Sequence, residues 1–402
     1  MTHLVFARAL LALIAAGMLE ISYPAAPGST SDGARVDIPN IAGRILTING
    51  PIAPDAAGPT LMHEHLFIDL NLPDNEPERW RWALVDSPVS ATAVGIYTHP
   101  LTLDILERVE MGFVNRDNLR LADDRTAIEE VTEFKKRGGR TIVDVTSLGC
   151  KRDPPALRRV ASATGLHIVM GTSWYCKSWH PRDMDERSVE SLTDQIVRDV
   201  AVGADDTGIR AGIIGEVGTQ GGPLTPNESK VIRASGRASR LTGSAVTLHT
   251  QAQEREQPKI LDLLAAEGAD LKRVVVGHSN PIATDLPFMK ELLDRGVYIE
   301  FDTLGHTPRV NDRNKVTDTQ VARAIVGLID AGYLERILVA QDVCTKIQLK
   351  AYGGAGYSFV LERFVPYLKR LGVSEAQIET MLVENPKRVL TFAAPMPPKA
   401  AE

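Results

Sequence analysis

The sequence is poor in cysteine, with three in a chain of 402 residues. Cys150, Cys176 and Cys344 form no Cys-x-x-Cys pair and are too few for a disulfide framework. A chain of this length can bury a core large enough to be stable without disulfides. We therefore expect three free thiols, buried or at the edge of a pocket.

Long apolar runs and an excess of basic residues are also missing. No run reaches the roughly 18 apolar residues that a spanning helix needs, so we predict no membrane span. Lysine and arginine number 45 against 51 aspartates and glutamates, which gives a net charge of −6. Because contacts to nucleic-acid phosphates need clustered Lys and Arg, we do not expect nucleic acid as a partner. An apolar fraction of 44% and a charged fraction of 24% are typical of a soluble globular protein.

The first residues resemble a secretory signal peptide. Arg8 precedes a short apolar segment, residues 9–19, which is followed by small residues up to Gly28. We therefore predict a signal peptide over residues 1–28 and export to the periplasm or the medium; without such a signal the protein would be cytoplasmic. Residues 29–44 read as a linker, 45–393 as a barrel domain that carries the activity, and 394–402 as a flexible tail.

Eight short segments of strand-like composition alternate with amphipathic, helix-like stretches. The strand-like segments are residues 60–63, 141–145, 167–170, 211–214, 245–248, 273–276, 297–301 and 336–340. Alternation of this kind predicts an α/β protein with a parallel sheet, and eight strands are the number that closes a (β/α)8 TIM barrel. The segment between the first two strands is long for one connection, so we predict a long insertion after strand 1, over the barrel mouth.

An open doubly wound sheet is the alternative fold. A dinucleotide-binding sheet would carry Gly-x-Gly-x-x-Gly directly after its first strand, and this chain carries His63-Glu64-His65 there. No Gly-x-Ser-x-Gly nucleophile elbow occurs either, which disfavours a serine hydrolase.

Residues able to bind a metal follow the predicted strands. They are His63, His65, Glu216, His249, His278 and Asp342. In a barrel these strand ends meet at one mouth, and side chains two apart on a strand, such as His63 and His65, point the same way. Imidazole and carboxylate suit zinc and neighbouring metals. Six such groups exceed what one open tetrahedral site needs but are enough for two ions that share a carboxylate.

The local motifs around these residues resemble the phosphotriesterase family of the amidohydrolase superfamily. They are Gly58-Pro-Thr-Leu-Met-His-Glu-His65, Gly212-Ile-Ile-Gly-Glu-Val-Gly218, Val276-Gly-His-Ser279 and Asn385-Pro386. The segment Ile337-Leu-Val-Ala-Gln-Asp342, with Thr345-Lys346 and Tyr352-Gly-Gly-Ala-Gly-Tyr357, is similar to the phosphotriesterase-related branch. The resemblance extends over residues 45–392.

The resemblance implies a role for each candidate ligand. His63, His65 and Asp342 would hold the more buried ion, and His249 and His278 the more exposed one. Glu216 would bridge the two, where the organophosphate-hydrolysing branch uses a carbamylated lysine; this departure argues against phosphotriesterase activity. The family also suggests a homodimer.

These residues predict a metal-dependent hydrolase of a small-molecule substrate. Two divalent ions, zinc or alternatively manganese, iron or cobalt, would supply a bridging hydroxide that attacks the carbonyl of an amide, an N-acyl amino acid or a lactone. Asp342 would be catalytic and would take the proton of the attacking water. We expect Tyr175, Asp302 and Lys346 to bind substrate. Tyr175 would donate a hydrogen bond to the polarised substrate oxygen, and Asp302 would orient a group of the substrate. Lys346 would pair with an anionic group of the substrate.

Two other functions remain open at this point. The same centre could hydrolyse an organophosphate or another phosphoester. The chain could also be a non-catalytic protein that binds a small molecule on a barrel scaffold, because a fold does not define a function.

Overall fold

The computed structural model describes residues 36–396, apart from Leu84, Asp86 and residues 307–315. The predicted signal peptide (1–28), the first part of the linker (29–35) and most of the tail (397–402) lie outside these residues. The domain boundaries therefore stay predictions. No described helix is both apolar enough and long enough to cross a membrane.

Eight parallel strands form one sheet in which each strand pairs with its neighbours in the sequence. They are β1 (Thr60–Glu64), β2 (Thr141–Asp144), β3 (His167–Thr172), β4 (Ile213–Gly218), β5 (Val246–His249), β6 (Val274–Val276), β7 (Tyr298–Phe301) and β8 (Ile337–Val339). Every predicted strand is present, and the sheet curls until β8 and β1 meet. The predicted TIM barrel is confirmed.

Helices follow the strands and cover the outside of the barrel. They are α1 (Asp124–Lys136), α2 (Pro154–Thr164), α3 (Val189–Ala201), α4 (Pro226–Thr242), α5 (Gln257–Ala266), α6 (Leu286–Asp294), α7 (Asp318–Asp330), α8 (Val365–Arg370), α9 (Glu375–Glu379) and α10 (Asn385–Leu390). Side-chain caps stabilise the first turns of several helices. The Asp123 side chain accepts from Thr126 N at the start of α1, and Thr225 and Glu228 form a capping box at the start of α4. Two π-helical segments precede α8 and α10, Val360–Phe364 and Thr380–Glu384.

The predicted insertion after β1 is present and lies over the barrel mouth. It contains the strand pair Ile68–Asp69 and Arg120–Leu121 and the helices Pro77–Trp82, Ala91–Thr98 and Leu103–Glu110. Arg79 donates to the carbonyls of Ser178 and His180 in the loop after β3, both at 2.8 Å. Lys346 N, in the loop after β8, donates to Asn118 O at 3.0 Å. The insertion is therefore joined to two of the loops that surround the mouth.

The barrel interior is apolar at its lower end and polar towards the mouth. The apolar part comprises Met62, Val143, Val169, Ile213, Val275, Tyr298 and Leu338. Nearer the mouth, Gly277 leaves space for the polar side chains above. A Cβ atom there would lie 2.3 Å from Leu248 O and 3.1 Å from Asp302 Oδ2, so any larger residue would displace the neighbouring groups.

Candidate metal centre

The structure brings the six predicted metal ligands together at the mouth. His63, Glu216 and His249 lie in β1, β4 and β5, and His65, His278 and Asp342 lie in the first residues after β1, β6 and β8. The ligand atoms of His63, His65 and Asp342 lie within 4.8 Å of one another, as do those of Glu216, His249 and His278. The ligand atoms of His63, His278 and Asp302 are equally close together. The six predicted ligands therefore offer two adjacent positions for a cation, with a third compact group behind them.

Glu216 lies between the two groups. Its Oε1 is 3.3 Å from His65 Nε2, and its Oε2 is 3.3 Å from His63 Nε2 and 3.9 Å from His278 Nε2. Glu216 thus faces histidines of both groups, His63 and His65 on one side and His278 on the other, which is the arrangement that a bridging ligand requires.

The donors present fit a divalent cation. His63 Nε2 and Glu216 Oε2 are buried, and neither has a hydrogen-bond partner among the described residues. Buried polar atoms are normally satisfied, and a cation between these two would satisfy both. Asp342 Oδ1, 3.2 Å from His65 Nε2 and 3.9 Å from His63 Nε2, offers a further ligand on the same side.

The surrounding charges keep both carboxylates ionised. Burial alone would raise the pKa of Glu216, but the adjacent His63, 3.3 Å away, lowers it to about 2. For Asp342, burial is outweighed by His65 and His278, which hold its pKa below the usual range. Burial and the neighbouring His278 lower the pKa of His249 to about 4. Ionised carboxylates and a neutral imidazole are the forms that bind metals.

Asp302 supports two of the imidazoles from behind. Its Oδ1 lies 2.9 Å from His278 Nδ1, its Oδ2 accepts from His278 N at 2.7 Å, and the same Oδ2 lies 3.3 Å from His63 Nδ1. Burial lowers the pKa of His278, but Asp302 outweighs it and raises the pKa to about 9. The complete burial of Asp302 favours a role in orienting the ligands. The substrate contact that we predicted for it stays a prediction.

Tyr175 and Lys346, the other predicted substrate-binding residues, lie in different surroundings. The Tyr175 hydroxyl is 2.8 Å from His249 Nε2, beside the cluster, and burial raises its pKa well above 10, so it stays a neutral donor. Lys346 lies in the loop after β8, where its Nζ is 2.6 Å from Asp117 Oδ1 of the insertion. Both roles stay predictions.

The sequence interpretation assigns no role to three residues beside the cluster, although it expects Cys176 near the mouth. Cys176 Sγ lies 3.4 Å from His249 Nδ1. Glu300 Oε2 lies 3.7 Å from His63 Nδ1, and burial raises the pKa of Glu300 to about 7. Strand alternation, which places Glu300 on the same face as Asp302, could have indicated it. The third is Glu64, whose contacts are described below.

Two of the candidate ligands have a left-handed backbone. His278 has φ 52° and Asp342 has φ 47°. Residues with a Cβ atom rarely adopt this conformation, and it is retained where neighbouring contacts enforce it, commonly at functional sites.

Comparison with known proteins agrees with the geometry. The phosphotriesterase family matches residues 43–390. N-acetyltaurine hydrolase from Dictyostelium discoideum is 35% identical over 368 residues, which cover 87% of this chain and 98% of that protein. The crystal structure of a resiniferatoxin-binding protein from Rhodobacter sphaeroides superimposes with a TM-score of 0.78 at 40% identity, over 87% of this chain and 96% of the other. The crystal structure of the phosphotriesterase homology protein from Escherichia coli, complexed with phosphate in its active site, superimposes with a TM-score of 0.68 at 29% identity. The superposition covers 84% of this chain and 99% of that protein.

An α/β barrel with a histidine and carboxylate cluster at its mouth defines a class of hydrolases. The chain belongs to the phosphotriesterase family. The predicted family and the predicted hydrolase are confirmed.

His180, in the loop after β3, makes the stability of this mouth dependent on pH. Its Nε2 lies 2.9 Å from Tyr175 O, and burial lowers its pKa from 6.5 to about 4. Between these values the unfolded chain binds a proton that the folded chain does not, so stability falls as the pH falls. We expect His180→Gln to reduce the loss in the free energy of unfolding between pH 7 and pH 5 by about 2 kcal/mol. Urea denaturation at the two pH values measures it.

The exposed His99→Gln variant controls for the substitution itself. An identical loss of stability in His180→Gln and the wild type would show that His180 titrates normally in the folded protein.

Proposed function

We propose that the chain is a hydrolase with two divalent cations. His63, His65 and Asp342 would hold one cation, His249 and His278 would hold the other, and Glu216 would be shared by both. The observation that carries this proposal is the position of Glu216, whose oxygens lie 3.3 Å from His63 and His65 of one group and 3.9 Å from His278 of the other. Zinc is the metal that we propose, with manganese, iron or cobalt as alternatives, since all accept histidine and carboxylate ligands.

The substrate that we propose contains an amide in a small N-acyl compound, such as an N-acyl amino acid, or a lactone. The Dictyostelium relative is named for hydrolysis of N-acetyltaurine, an amide that carries an anionic sulfonate. Phosphoester hydrolysis is the second candidate, because the Escherichia coli structure contains phosphate in its active site. Glu216 stands where the organophosphate-hydrolysing branch has lysine, which favours the amide.

The side chains at the mouth can carry out the proton transfers of this reaction. When bound, two divalent cations lower the pKa of a water molecule and polarise the substrate oxygen. Asp342, ionised and at the mouth, can accept the proton of the attacking water and donate it to the leaving amine. Tyr175 is a neutral donor beside His249 and can donate a hydrogen bond to the substrate oxygen.

Removal of the bridging carboxylate tests the two-metal proposal. We expect about two metal ions per chain in the zinc-loaded wild type and about one or fewer in Glu216→Ala, because the bridge contributes to both positions. Elemental mass spectrometry of the purified proteins measures the ratio.

Glu216→Gln keeps the size of the side chain without its charge and should lose metal as well. Fewer than one ion per chain in the wild type, even after loading with zinc or manganese, would contradict the proposal and favour the non-catalytic binding protein.

A substrate panel tests the class of substrate and the role of Lys346. We expect the wild type to hydrolyse N-acetyltaurine, an N-acyl amino acid or a neutral lactone faster than a paraoxon-like triester. Lys346→Ala should raise KM for the anionic amides by roughly tenfold, the loss of one charge-assisted contact, and should leave KM for the lactone unchanged. Steady-state kinetics give both values.

Asp117→Asn is the matched variant, because it removes the negative charge that pairs with Lys346 and leaves the Lys346 ammonium group in place. Its KM for the anionic amides should not rise. An equal rise in KM for the amides and the lactone in Lys346→Ala would show a general disturbance of the mouth. Faster hydrolysis of the triester than of the amides and the lactone by the wild type would favour the phosphoester function.

We further propose that the protein is exported. The support is the apolar segment after Arg8, which lies outside the described residues. The intact mass of the protein recovered from the periplasm or medium should correspond to a chain that begins near residue 29. Recovery of the full-length chain from the cytoplasm alone would contradict export. The predicted homodimer and the expected absence of nucleic-acid binding remain predictions.

A further inference from the structure

The two strands that close the barrel are joined mainly through the residues that follow them. β8 and β1 are the two ends of the strand order, and no regular ladder joins them in the described part of the chain. Asp342 N donates to His63 O at 3.1 Å, and His65 N donates to Val343 O at 3.2 Å. These bonds connect the residues that carry three of the candidate ligands.

The Glu64 carboxylate completes this junction. Its Oε1 accepts from Gln341 N at 2.9 Å, and its Oε2 accepts from Val343 N at 3.0 Å. Both oxygens of Glu64 are used in these bonds, and Glu64 is not among the residues whose ligand atoms cluster with those of His63 and His65. Glu64 is completely buried, so water does not compete for these bonds.

The two N–H groups that bind Glu64 belong to the residues on either side of Asp342. With φ 47°, Asp342 has a left-handed conformation that a residue with a Cβ atom normally avoids. In such a turn, nearby N–H groups can point to the same side and bind one anion. The two oxygens of Glu64 accept these N–H groups, and the bonds maintain the conformation that places Asp342 Oδ1 3.2 Å from His65 Nε2.

We propose that Glu64 is a positioning residue of the candidate metal centre. By binding the N–H groups of Gln341 and Val343, it fixes the Asp342 carboxylate as the third ligand of the cation held by His63 and His65. It acts through Asp342 and has no direct contact with cation or substrate. The inference rests on the proposed function, since it takes Asp342 as a cation ligand.

Replacement of Glu64 by glutamine tests this role. The amide has one oxygen that accepts and one NH2 group that cannot, so one of the two N–H groups loses its partner. We expect zinc-loaded, full-length E64Q to hold zinc roughly 10- to 100-fold more weakly than the wild type. Both proteins are dialysed against increasing concentrations of a chelator, and zinc per chain is measured by elemental mass spectrometry.

Glu130 provides a matched control. It is also buried, and each of its oxygens accepts one backbone N–H, from Lys350 at 3.1 Å and Ala351 at 2.8 Å. We expect E130Q and E64Q both to lower Tm, but only E64Q to lose zinc more readily. An equal loss of zinc in both variants would attribute the effect to general destabilisation and overturn the proposal.

If E64Q does not fold, Glu64→Asp replaces it, because aspartate keeps both oxygens but withdraws them by one methylene. It should lose zinc more readily than the wild type, and wild-type retention in either variant would overturn the role of Glu64. A wild-type chain that holds no zinc would instead contradict the two-metal proposal itself.

Discussion

Burying the Glu216 carboxylate would be costly without the imidazoles around it. An isolated buried carboxylate costs several kcal/mol, and such a group normally protonates or acquires partners. His63 and His65 lie 3.3 Å from the two oxygens of Glu216 and keep it ionised. These groups come from distant parts of the sequence, and a closed parallel barrel brings them together because it directs all its strand ends to one mouth.

Much of the barrel and of the cluster could be predicted from the sequence. The strands form short β-branched runs, and the candidate ligands follow these runs directly, so their convergence requires only the barrel topology. The contacts behind the ligands could not be predicted in this way. Whether Asp302 faces a substrate or supports His278, and whether Cys176 reaches His249, depends on the stagger of neighbouring strands and on the path of each loop. Neither is encoded in a local pattern.

The proposed chemistry and the proposed choice of substrate belong to separate parts of the molecule. The candidate ligands lie on or directly after barrel strands, which are rigid and buried. The insertion, by contrast, reaches the mouth through loops, and its Asp117 pairs with Lys346. Loops carried on a rigid scaffold can change without disturbing the scaffold. A family that shares one centre can therefore include members with different substrates, and the insertion is where we expect this chain to differ.

The two ligands with left-handed backbones are stabilised in the same way. Asp302 accepts from His278 N and also lies 2.9 Å from its ring Nδ1. Glu64 accepts from the N–H groups on both sides of Asp342. In each case a buried carboxyl group that is not among the six proposed ligands accepts the backbone N–H groups at or beside the ligand and thereby stabilises an unfavourable conformation. Since the two ligands belong to different cation positions, each position would have its own supporting carboxylate. The carboxyl groups of the centre are thus divided between groups that would bind cations and groups that hold those ligands in place.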